Sequence, residues 1–245
     1  MYIFGYTHEG KKPGQNEDSF LIGKRVISSG GAEATITPPF FAAVADGVSG
    51  ETSGEVASAM ALGVLSGVKP ADKTDFNALT LSVHRFLKMQ GSLKKLENMQ
   101  TTLCALAITS ETGGYAINVG DSRAYLWRGE KLTLLTKDQS LAQLLFETGQ
   151  LSKAERESFA HKNVILPALG NLTAEPVPDV TKLPELRTGD VIIMCTDGFS
   201  DFVPISDAEY IMSQPEKLSV RIEKLYGRAL MGGSKDNITV LGILV

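Results

Sequence analysis

The chain has 245 residues, of which 43% are hydrophobic and 21% are charged, and its net charge at pH 7 is −4. This length and hydrophobic content are sufficient for one large domain with a buried core. A slightly acidic chain with charges of mixed sign is not expected to bind nucleic acid or anionic membranes. No apolar stretch approaches the ~20 residues that cross a bilayer.

The cysteines and the first residues indicate a cellular location. Cys104 and Cys195 are the only two cysteines, and both lie in apolar runs, where we expect them to be buried like small hydrophobic residues. They form no disulfide framework, which favours a reducing compartment. Residues 1–9 lack the basic segment and the following apolar segment of a secretion signal. We therefore expect a soluble cytoplasmic protein.

Short apolar runs separated by turns predict strands in the first part of the chain. Strands are predicted at residues 2–7 and 19–22, and a segment rich in Gly, Ser and Pro (28–39) follows. The apolar run 40–45 then ends abruptly at Asp46. A run of this length fits a buried strand and is too short for most helices. The early succession of strands favours an antiparallel sheet.

Two helical segments come next. A capping-box pattern begins at Thr52, and apolar residues recur at helical spacing from about 52 to 66. A second helix is predicted over 75–97, with Gly91 as a candidate interruption. His84 lies on this helix without a neighbouring metal-binding residue in the sequence. We interpret it as an ordinary helix residue.

Four short runs with glycine-containing turns between them predict an antiparallel meander. The runs are residues 102–108, 115–119, 124–127 and 132–135. Helices are predicted at about 139–148 and after capping-box patterns at Ser152 and Ser206. The segment 160–189 carries four of the ten prolines and is interpreted as an irregular surface excursion.

The end of the chain completes the pattern. A strand is predicted at 191–195, a helix at 218–231 and a last strand at 238–245. The succession indicates a mixed α/β (α+β) fold in which layers of antiparallel sheet are flanked by helices. No Pro/Ser-rich linker divides the chain, so a single domain over 1–245 is predicted.

Four aspartates stand at the ends of apolar runs. Asp46 and Asp197 follow such runs, Asp121 follows one through a glycine, and Asp236 precedes the last one. A lone Asp-Gly pair more often caps a turn. Four carboxylates gathered at strand ends, however, repel one another unless a cation lies among them. The pattern therefore favours a divalent metal site.

The other reactive residues limit the kinds of catalytic or metal site that the chain can form. The three histidines form no metal-binding pair, and no Walker loop, nucleophile elbow or Cys/His pairing is present. Oxygen ligands dominate, and sites built from oxygen favour Mg²⁺ or Mn²⁺ over zinc. Two such ions can activate a water for attack on a phosphoryl group.

An ordered set of motifs closely resembles the type 2C metal-dependent serine/threonine protein phosphatases. The motifs are Asn16-Glu17-Asp18-Ser19, Val44-Ala45-Asp46-Gly47, Thr101-Thr102-Leu103, Gly120-Asp121-Ser122-Arg123-Ala124-Tyr125, Cys195-Thr196-Asp197-Gly198 and Asp236-Asn237-Ile238-Thr239-Val240. They follow the family's order from about residue 5 to the C-terminus, and the chain is most similar to the compact bacterial members. The resemblance implies a β-sandwich of two antiparallel sheets flanked by pairs of helices.

The resemblance also implies a role for each acidic residue. Asp46 would bridge two metal ions, and Gly47 would offer its carbonyl oxygen to one of them. Asp197 and Asp236 would complete the ligand set. Asp121, with Asp197, would bind a third and weaker ion.

Further positions follow from the same resemblance. Glu17 and Asp18 would hold metal-bound waters or lie directly behind the ligands, and Asn237 would orient the site beside Asp236. The segment 147–175 matches the family's variable flap, which borders the active site and influences substrate choice.

The phosphate-binding position departs from the family pattern. Pro13 stands where an arginine usually binds the substrate phosphate. Lys11 or Lys12 could substitute, although a lysine lacks the bidentate fork of arginine.

Other departures surround the first Asp-Gly motif. Val48 stands where many eukaryotic members carry a histidine thought to protonate the leaving group, and Ser49 replaces a usual glycine. Gln139 occupies a position that is often histidine, which we interpret as a structural change.

The leading hypothesis is a signalling enzyme that hydrolyses phosphoserine and phosphothreonine in proteins phosphorylated by a serine/threonine kinase. Water activated by two Mn²⁺ or Mg²⁺ ions would attack phosphorus directly, and a third ion could bind. We expect a monomer with no nucleic-acid or membrane partner. The alternative is a weakly active or inactive relative that binds phosphoproteins as a regulatory module. A third option is a phosphoesterase acting on a small molecule.

Overall fold

The computed structural model describes residues 1–11, 14–48, 53–96, 98–161 and 164–245. The strands are β1 (Tyr2–His8), β2 (Asp18–Ile22), β3 (Arg25–Ile27), β4 (Gly30–Thr35), β5 (Phe40–Asp46), β6 (Leu103–Ser110), β7 (Gly113–Val119), β8 (Arg123–Arg128), β9 (Lys131–Leu134), β10 (Asp179–Lys182), β11 (Val191–Cys195) and β12 (Ile238–Leu244). The helices are α1 (Gly54–Ser66), α2 (Phe76–Lys94), α3 (Leu141–Glu147), α4 (Lys153–Ser158), α5 (Asp197–Ser200), α6 (Ile205–Ser213) and α7 (Leu218–Met231).

The strands form two six-stranded sheets. The first sheet has the order β4-β1-β12-β11-β8-β9, and the second has the order β10-β7-β6-β5-β2-β3. Each described strand pairing is antiparallel. The last strand, β12, lies inside the first sheet between β1 and β11. The predicted α+β class with antiparallel sheets is confirmed.

The central strands are apolar on both faces because each sheet is covered on both sides. In β5, Ala42 and Val44 pack toward the other sheet, whereas Phe41, Ala43 and Ala45 pack in the cluster that includes α1 and α2. Successive side chains of a strand point to opposite faces, so one apolar run supplies both layers. The outer face of the first sheet packs in the same way against α5, α6 and α7. The molecule is therefore a helix–sheet–sheet–helix sandwich.

The predicted meander is divided between the two sheets. β6 and β7 pair in the second sheet, and β8 and β9 pair in the first. The chain crosses between the sheets after Gly120, whose φ of +106° is open to glycine but strained for other residues. The prediction of one continuous meander was wrong because hairpin signals specify local pairing and not the sheet to which a hairpin belongs.

Two predicted connections contain strands. The segment 28–39 includes β4, which pairs with β1 at the edge of the first sheet. The segment 160–189 includes β10, which pairs with β7 at the edge of the second sheet, and Leu169 is buried. The prediction of an irregular surface excursion was wrong in this part. Edge strands are short and partly exposed, so their sequences lack a strong apolar pattern.

The three capping-box patterns have different outcomes. At the start of α4, Ser152 and Glu155 form both hydrogen bonds of the box, as predicted. The capping box predicted at Ser206 was wrong. Helix α6 begins directly after Pro204, and the side chain of Glu209 instead accepts a hydrogen bond from a backbone amide of β9. Thr52 lies outside the described residues.

Helix α2 corrects the interpretation of His84. The helix runs through Gly91 without interruption. His84 is 2% exposed, and its Nδ1 accepts a hydrogen bond from the amide of Gly170 at 3.1 Å. Burial is the main cause that lowers the pKa of His84, and the positive charge of Lys88 lowers it further. This histidine therefore fixes a distant loop on the helix and has a structural partner that the sequence did not indicate.

Two expectations from composition can be compared directly with the structure. Cys104 and Cys195 are both free and buried, as predicted from their apolar surroundings. Among the described helices, none is both long and apolar enough to cross a membrane.

Candidate metal centre

The four aspartates of the strand ends lie around one cavity at one end of the sandwich. Asp46 ends β5, Asp121 lies between β7 and β8, Asp197 begins α5, and Asp236 lies two residues before β12. The cavity has a volume of about 180 Å³. It is lined by Asp46, Val48, Thr102, Asp121, Ile165, Asp197 and Asp236. The structure therefore brings together acids from both sheets.

Burial and neighbouring carboxylates raise the pKa of Asp46 and of Asp197. The pKa of Asp46 is raised well above its ordinary value, first by burial and then by the charge of Asp18 and the other cavity aspartates. The pKa of Asp197 is raised to about 6, first by burial and then by the charge of Asp236. The site thus favours a proton or a cation.

The donor set fits Mg²⁺ or Mn²⁺. Oδ1 of Asp18 and Oδ1 of Asp197 are buried and have no hydrogen-bond partner in the described part of the chain, and unpaired buried carboxylate oxygens are costly without a cation or a donor. Within the described ranges, no three His, Cys, Asp or Glu side chains come together as ready ligands of a single ion. Carboxylate oxygens suit hard cations, which bind through one or two carboxylates and keep several waters.

Two threonines hold the backbone of Asp46. The hydroxyl of Thr101 donates to the carbonyl oxygen of Asp46 at 2.8 Å, and the amide of Asp46 donates to Oγ1 of Thr102 at 3.0 Å. Oγ1 of Thr102 also bonds Oγ of Ser122 at 2.9 Å, beside Asp121. The end of β5 is therefore tied to the crossing that carries Asp121. The sequence placed these threonines in a motif but gave them no role.

Gly47 lies where no side chain fits. A Cβ at this position would come within 2.4 Å of the backbone of Gly54 at the start of α1. The amide of Gly47 donates to the carbonyl oxygen of Glu17 at 3.1 Å. These contacts bring the first turn of α1 and the residues before β2 against the end of β5, beside the cavity.

Asn237 connects three segments around the site. Its Oδ1 accepts from the amide of Glu17 at 2.8 Å, and its Nδ2 donates to the carbonyl oxygen of Glu9 at 3.1 Å. Its amide donates to Oδ1 of Asp236 at 2.9 Å. Asn237 thereby fixes Asp236 relative to the loop between β1 and β2.

Asp18 lies behind the cavity lining. It is the first residue of β2 and is opposite Asp46 in the β2–β5 pairing. Its side chain is completely buried. Burial raises the pKa of Asp18 to about 7, although hydrogen bonds from Thr239 and Thr196 oppose that effect.

Of the two lysines expected to bind phosphate, Lys11 lies among the residues that the structure describes. Lys11 is exposed in the loop after β1, and the lining of the aspartate cavity does not include it. Lys12, Pro13 and Ser49 lie outside the described residues. Val48 lines the cavity.

A second cavity of about 440 Å³ shares Asp121 and Asp197 with the first. It also contains the basic residues Arg123, Lys153 and Arg156. Arg123 is held by Asp138 in a bidentate pair at 2.8 and 2.6 Å. The capping-box pattern predicted helix α4, but such a pattern does not show which cavity the basic side chains of the helix line. The sequence interpretation missed these residues.

Gln139 supports the crossing between the sheets. Its Oε1 accepts from the amide of Gly120 at 3.2 Å, and its Nε2 donates to the carbonyl oxygen of Val177 at 2.8 Å. The structural interpretation of this position agrees with these contacts. Segment 147–175 reaches the cavity through Ile165, which also forms a bridge with Ser140.

Comparison with known proteins places these features in a family. The family model for protein phosphatase 2C matches residues 31–217. The serine/threonine phosphatase Stp of Listeria monocytogenes is 34% identical over 208 residues, which cover 81% of this chain and 81% of the relative.

Solved structures show the same architecture. The Mycobacterium tuberculosis serine/threonine phosphatase PstP/Ppp superposes with a TM-score of 0.81 and 28% identity, covering 100% of this chain and 99% of that one. A structure of the PstP catalytic domain in complex with two manganese ions gives a TM-score of 0.77 and 27% identity, covering 99% and 98%. The acidic cavity, the sandwich and these similarities lead to one conclusion: the chain belongs to the protein phosphatase 2C family of metal-dependent serine/threonine phosphatases.

Proposed function

We propose that this chain removes phosphate from phosphoserine and phosphothreonine in proteins. The observation that carries the proposal is that four aspartates from both sheets share one cavity, in which burial first and neighbouring carboxylates next raise the pKa of Asp46, Asp121 and Asp197. Such a site gains stability from divalent cations, and two such ions can activate a water for attack on a phosphoryl group. The complete acidic set supports catalysis over the alternative of a phosphoprotein-binding module.

Asp46, Asp197 and Asp236 are the proposed ligands of two Mn²⁺ or Mg²⁺ ions, with the carbonyl oxygen of Gly47 as a further ligand. When bound, two such ions supply an acidified water as the nucleophile and stabilise charge on the phosphoryl oxygens. Asp121, together with Asp197, is the proposed holder of a third, weaker ion.

The remaining residues of the site position these groups. Glu17 and Asp18 are proposed to accept hydrogen bonds from waters of the metal centre, and Asn237 fixes Asp236 by the contacts described above. For the substrate phosphate, Lys11 or Lys12 is the proposed ligand in place of the family's arginine. A lysine offers a point charge, so a weaker hold on phosphate is expected.

The proposed substrates are proteins phosphorylated by a serine/threonine kinase, and the proposed role is signal transduction by a monomer in the cytoplasm. The mixed surface charge and net charge of −4 support a protein substrate over nucleic acid. We propose one catalytic domain over residues 1–245, in which the flap, 147–175, influences substrate choice. Its support is Ile165, which reaches the cavity.

A phosphothreonine peptide tests the proposal. Release of phosphate is measured with Mn²⁺, with Mg²⁺ and with EDTA, for the parent and for Asp46→Asn. The exposed Asp72→Asn is the matched control, since it removes the same charge at the surface. We expect hydrolysis that needs a divalent ion and is lost only in Asp46→Asn. A parent that binds the peptide but releases no phosphate with either ion would instead support the binding module.

A further inference from the structure

A buried group of hydroxyls connects the two sheets behind the aspartate cavity. Asp18 is on β2 in the second sheet, whereas Thr239 on β12 and Thr196 directly after β11 belong to the first. The hydroxyls of Thr196 and Thr239 both donate to Oδ2 of Asp18, at 2.8 and 2.7 Å. All three residues are 0% exposed. One carboxylate oxygen thus joins both sheets.

When the carboxyl group of Asp18 is ionised, the direction of each hydrogen bond in this group is fixed. A threonine hydroxyl has one proton to donate, and Thr239 gives its proton to Asp18. The 2.6 Å contact between the hydroxyls of Thr7 and Thr239 must therefore be a donation by Thr7. Thr7 in turn accepts from Nδ2 of Asn16 at 2.9 Å. The donors all lead toward Asp18, which favours a single arrangement of the group.

The two threonines are also bonded to each other across β11 and β12. The amide of Thr239 donates to Oγ1 of Thr196 at 3.1 Å, and the amide of Thr196 donates to the carbonyl oxygen of Thr239 at 3.2 Å. Thr196 directly precedes Asp197, and Thr239 follows Asp236 by three residues. The group therefore holds the backbone that carries both of these aspartates.

Asp18 connects this group of hydroxyls to the second sheet. Asp18 is opposite Asp46 in the β2–β5 pairing, so its position determines how far the end of that sheet lies from β11 and β12. Because Oδ2 is occupied by two threonines, Oδ1 is the acceptor that remains, and it has no partner among the described residues.

We propose that Thr196 and Thr239 are positioning residues that act through Asp18. By fixing the separation of the sheets at this end, they set the distance between the carboxylate from one sheet and the carboxylates from the other. The affinity for the metal ions then depends on two hydroxyls that need not contact an ion. This inference rests on the proposed function.

The test separates the hydroxyl from the rest of each side chain. Thr196→Val and Thr239→Val keep the shape and remove the hydroxyl, which is both the donor to Asp18 and an acceptor. Thr196→Ser and Thr239→Ser keep the hydroxyl. Mn²⁺ binding is measured by titration calorimetry without substrate, with circular dichroism to verify folding. We expect about tenfold or more weaker binding in the valine variants, the range seen when residues behind metal ligands are changed. The serine variants should bind within about twofold of the parent.

Thr80→Val is the matched control. Thr80 is buried on α2, and its hydroxyl donates to the carbonyl oxygen of Phe76 at 2.7 Å, within the helix. Its loss should lower the Tm without a change in Mn²⁺ affinity. A purely structural role for the two site threonines would give the same result as this control.

The possible results distinguish a failure of the proposed function from a failure of the positioning role of the two threonines. If the parent does not bind Mn²⁺, the proposed function itself is overturned. If the parent binds and the valine variants bind equally well, or if the serine variants are weakened as much as the valine variants, the positioning role is overturned and the proposed function stands. The two threonines are substituted separately, so one folded valine variant is sufficient.

Discussion

Replacing Asp197 by asparagine should make the metal-free protein more stable while it abolishes activity. Asp197 is held among other carboxylates, and its pKa is raised to about 6, by burial first and by the charge of Asp236 next. An ionised carboxylate in this place therefore destabilises the folded state. Asparagine removes that charge and changes little volume.

The magnitude follows from the pKa. A rise from the ordinary 3.8 to about 6 corresponds to at most about 3 kcal/mol, at about 1.4 kcal/mol for each pH unit. Because the folded state binds the proton more tightly than the unfolded state, the stability of the parent falls as pH rises through this window. The destabilisation is absent below pH 3.8 and complete above about pH 6. Asp197→Asn should therefore gain about 1–3 kcal/mol at pH 8 and lose that advantage toward pH 4.

Urea unfolding in EDTA at pH 8 and at pH 4.5 measures this effect, and the exposed Asp72→Asn is the control, with an expected change within about 0.5 kcal/mol. In Mn²⁺ the order should reverse. Mn²⁺ at about 1,000 times its Kd stabilises the folded parent by about 4.1 kcal/mol, which exceeds the variant's advantage, and the variant has lost a proposed ligand. If Asp197→Asn were less stable than the parent in EDTA at pH 8, the ionised carboxylate of Asp197 would not destabilise the folded state, and the reasoning would be refuted.

Three further predictions concern turnover. Asp46→Asn should abolish hydrolysis of a phosphothreonine peptide while the far-ultraviolet circular dichroism stays unchanged, and full activity at saturating Mn²⁺ would contradict the bridging role. Asp121→Ala should lower kcat with little effect on the two tight ions in calorimetry; loss of those ions would make Asp121 a primary ligand. Lys11→Ala or Lys12→Ala should raise KM, since each charge-assisted hydrogen bond to phosphate contributes about 1.5–3 kcal/mol, and Pro13→Arg should lower it. If all three variants match the parent in KM, another residue binds the phosphate.

The acidic end of the sandwich could be predicted from the sequence because its signals are local. An apolar run that stops at Asp46 or Asp197 places a carboxylate at a strand end whichever strands are its neighbours. The convergence of those ends could not be derived from spacing, since register and sheet order depend on contacts between distant residues. Ordered motifs supplied that information through the resemblance to a family.

The features that were missed are all nonlocal. The pairing of His84 with Gly170 joins positions 86 residues apart, and β10 pairs at a sheet edge without a strong apolar pattern. Lys153 and Arg156 lie on a helix that a capping-box pattern predicted, and that pattern contained nothing about the cavity beside them. In each case the local pattern was compatible with several partners, and tertiary packing selected one.

The position of β12 has a consequence for the order in which the protein assembles. Among the strands that the structure describes, β12 is the last in chain order, yet it lies between β1 and β11 and begins two residues after Asp236. Pairing of β1 with β12 joins residues more than 200 positions apart, and such long-range contacts form late because loop closure must precede them. Until then the first sheet has a gap at its centre and the aspartate set is incomplete. A nascent chain therefore cannot act on phosphoproteins before its synthesis has reached the final strand.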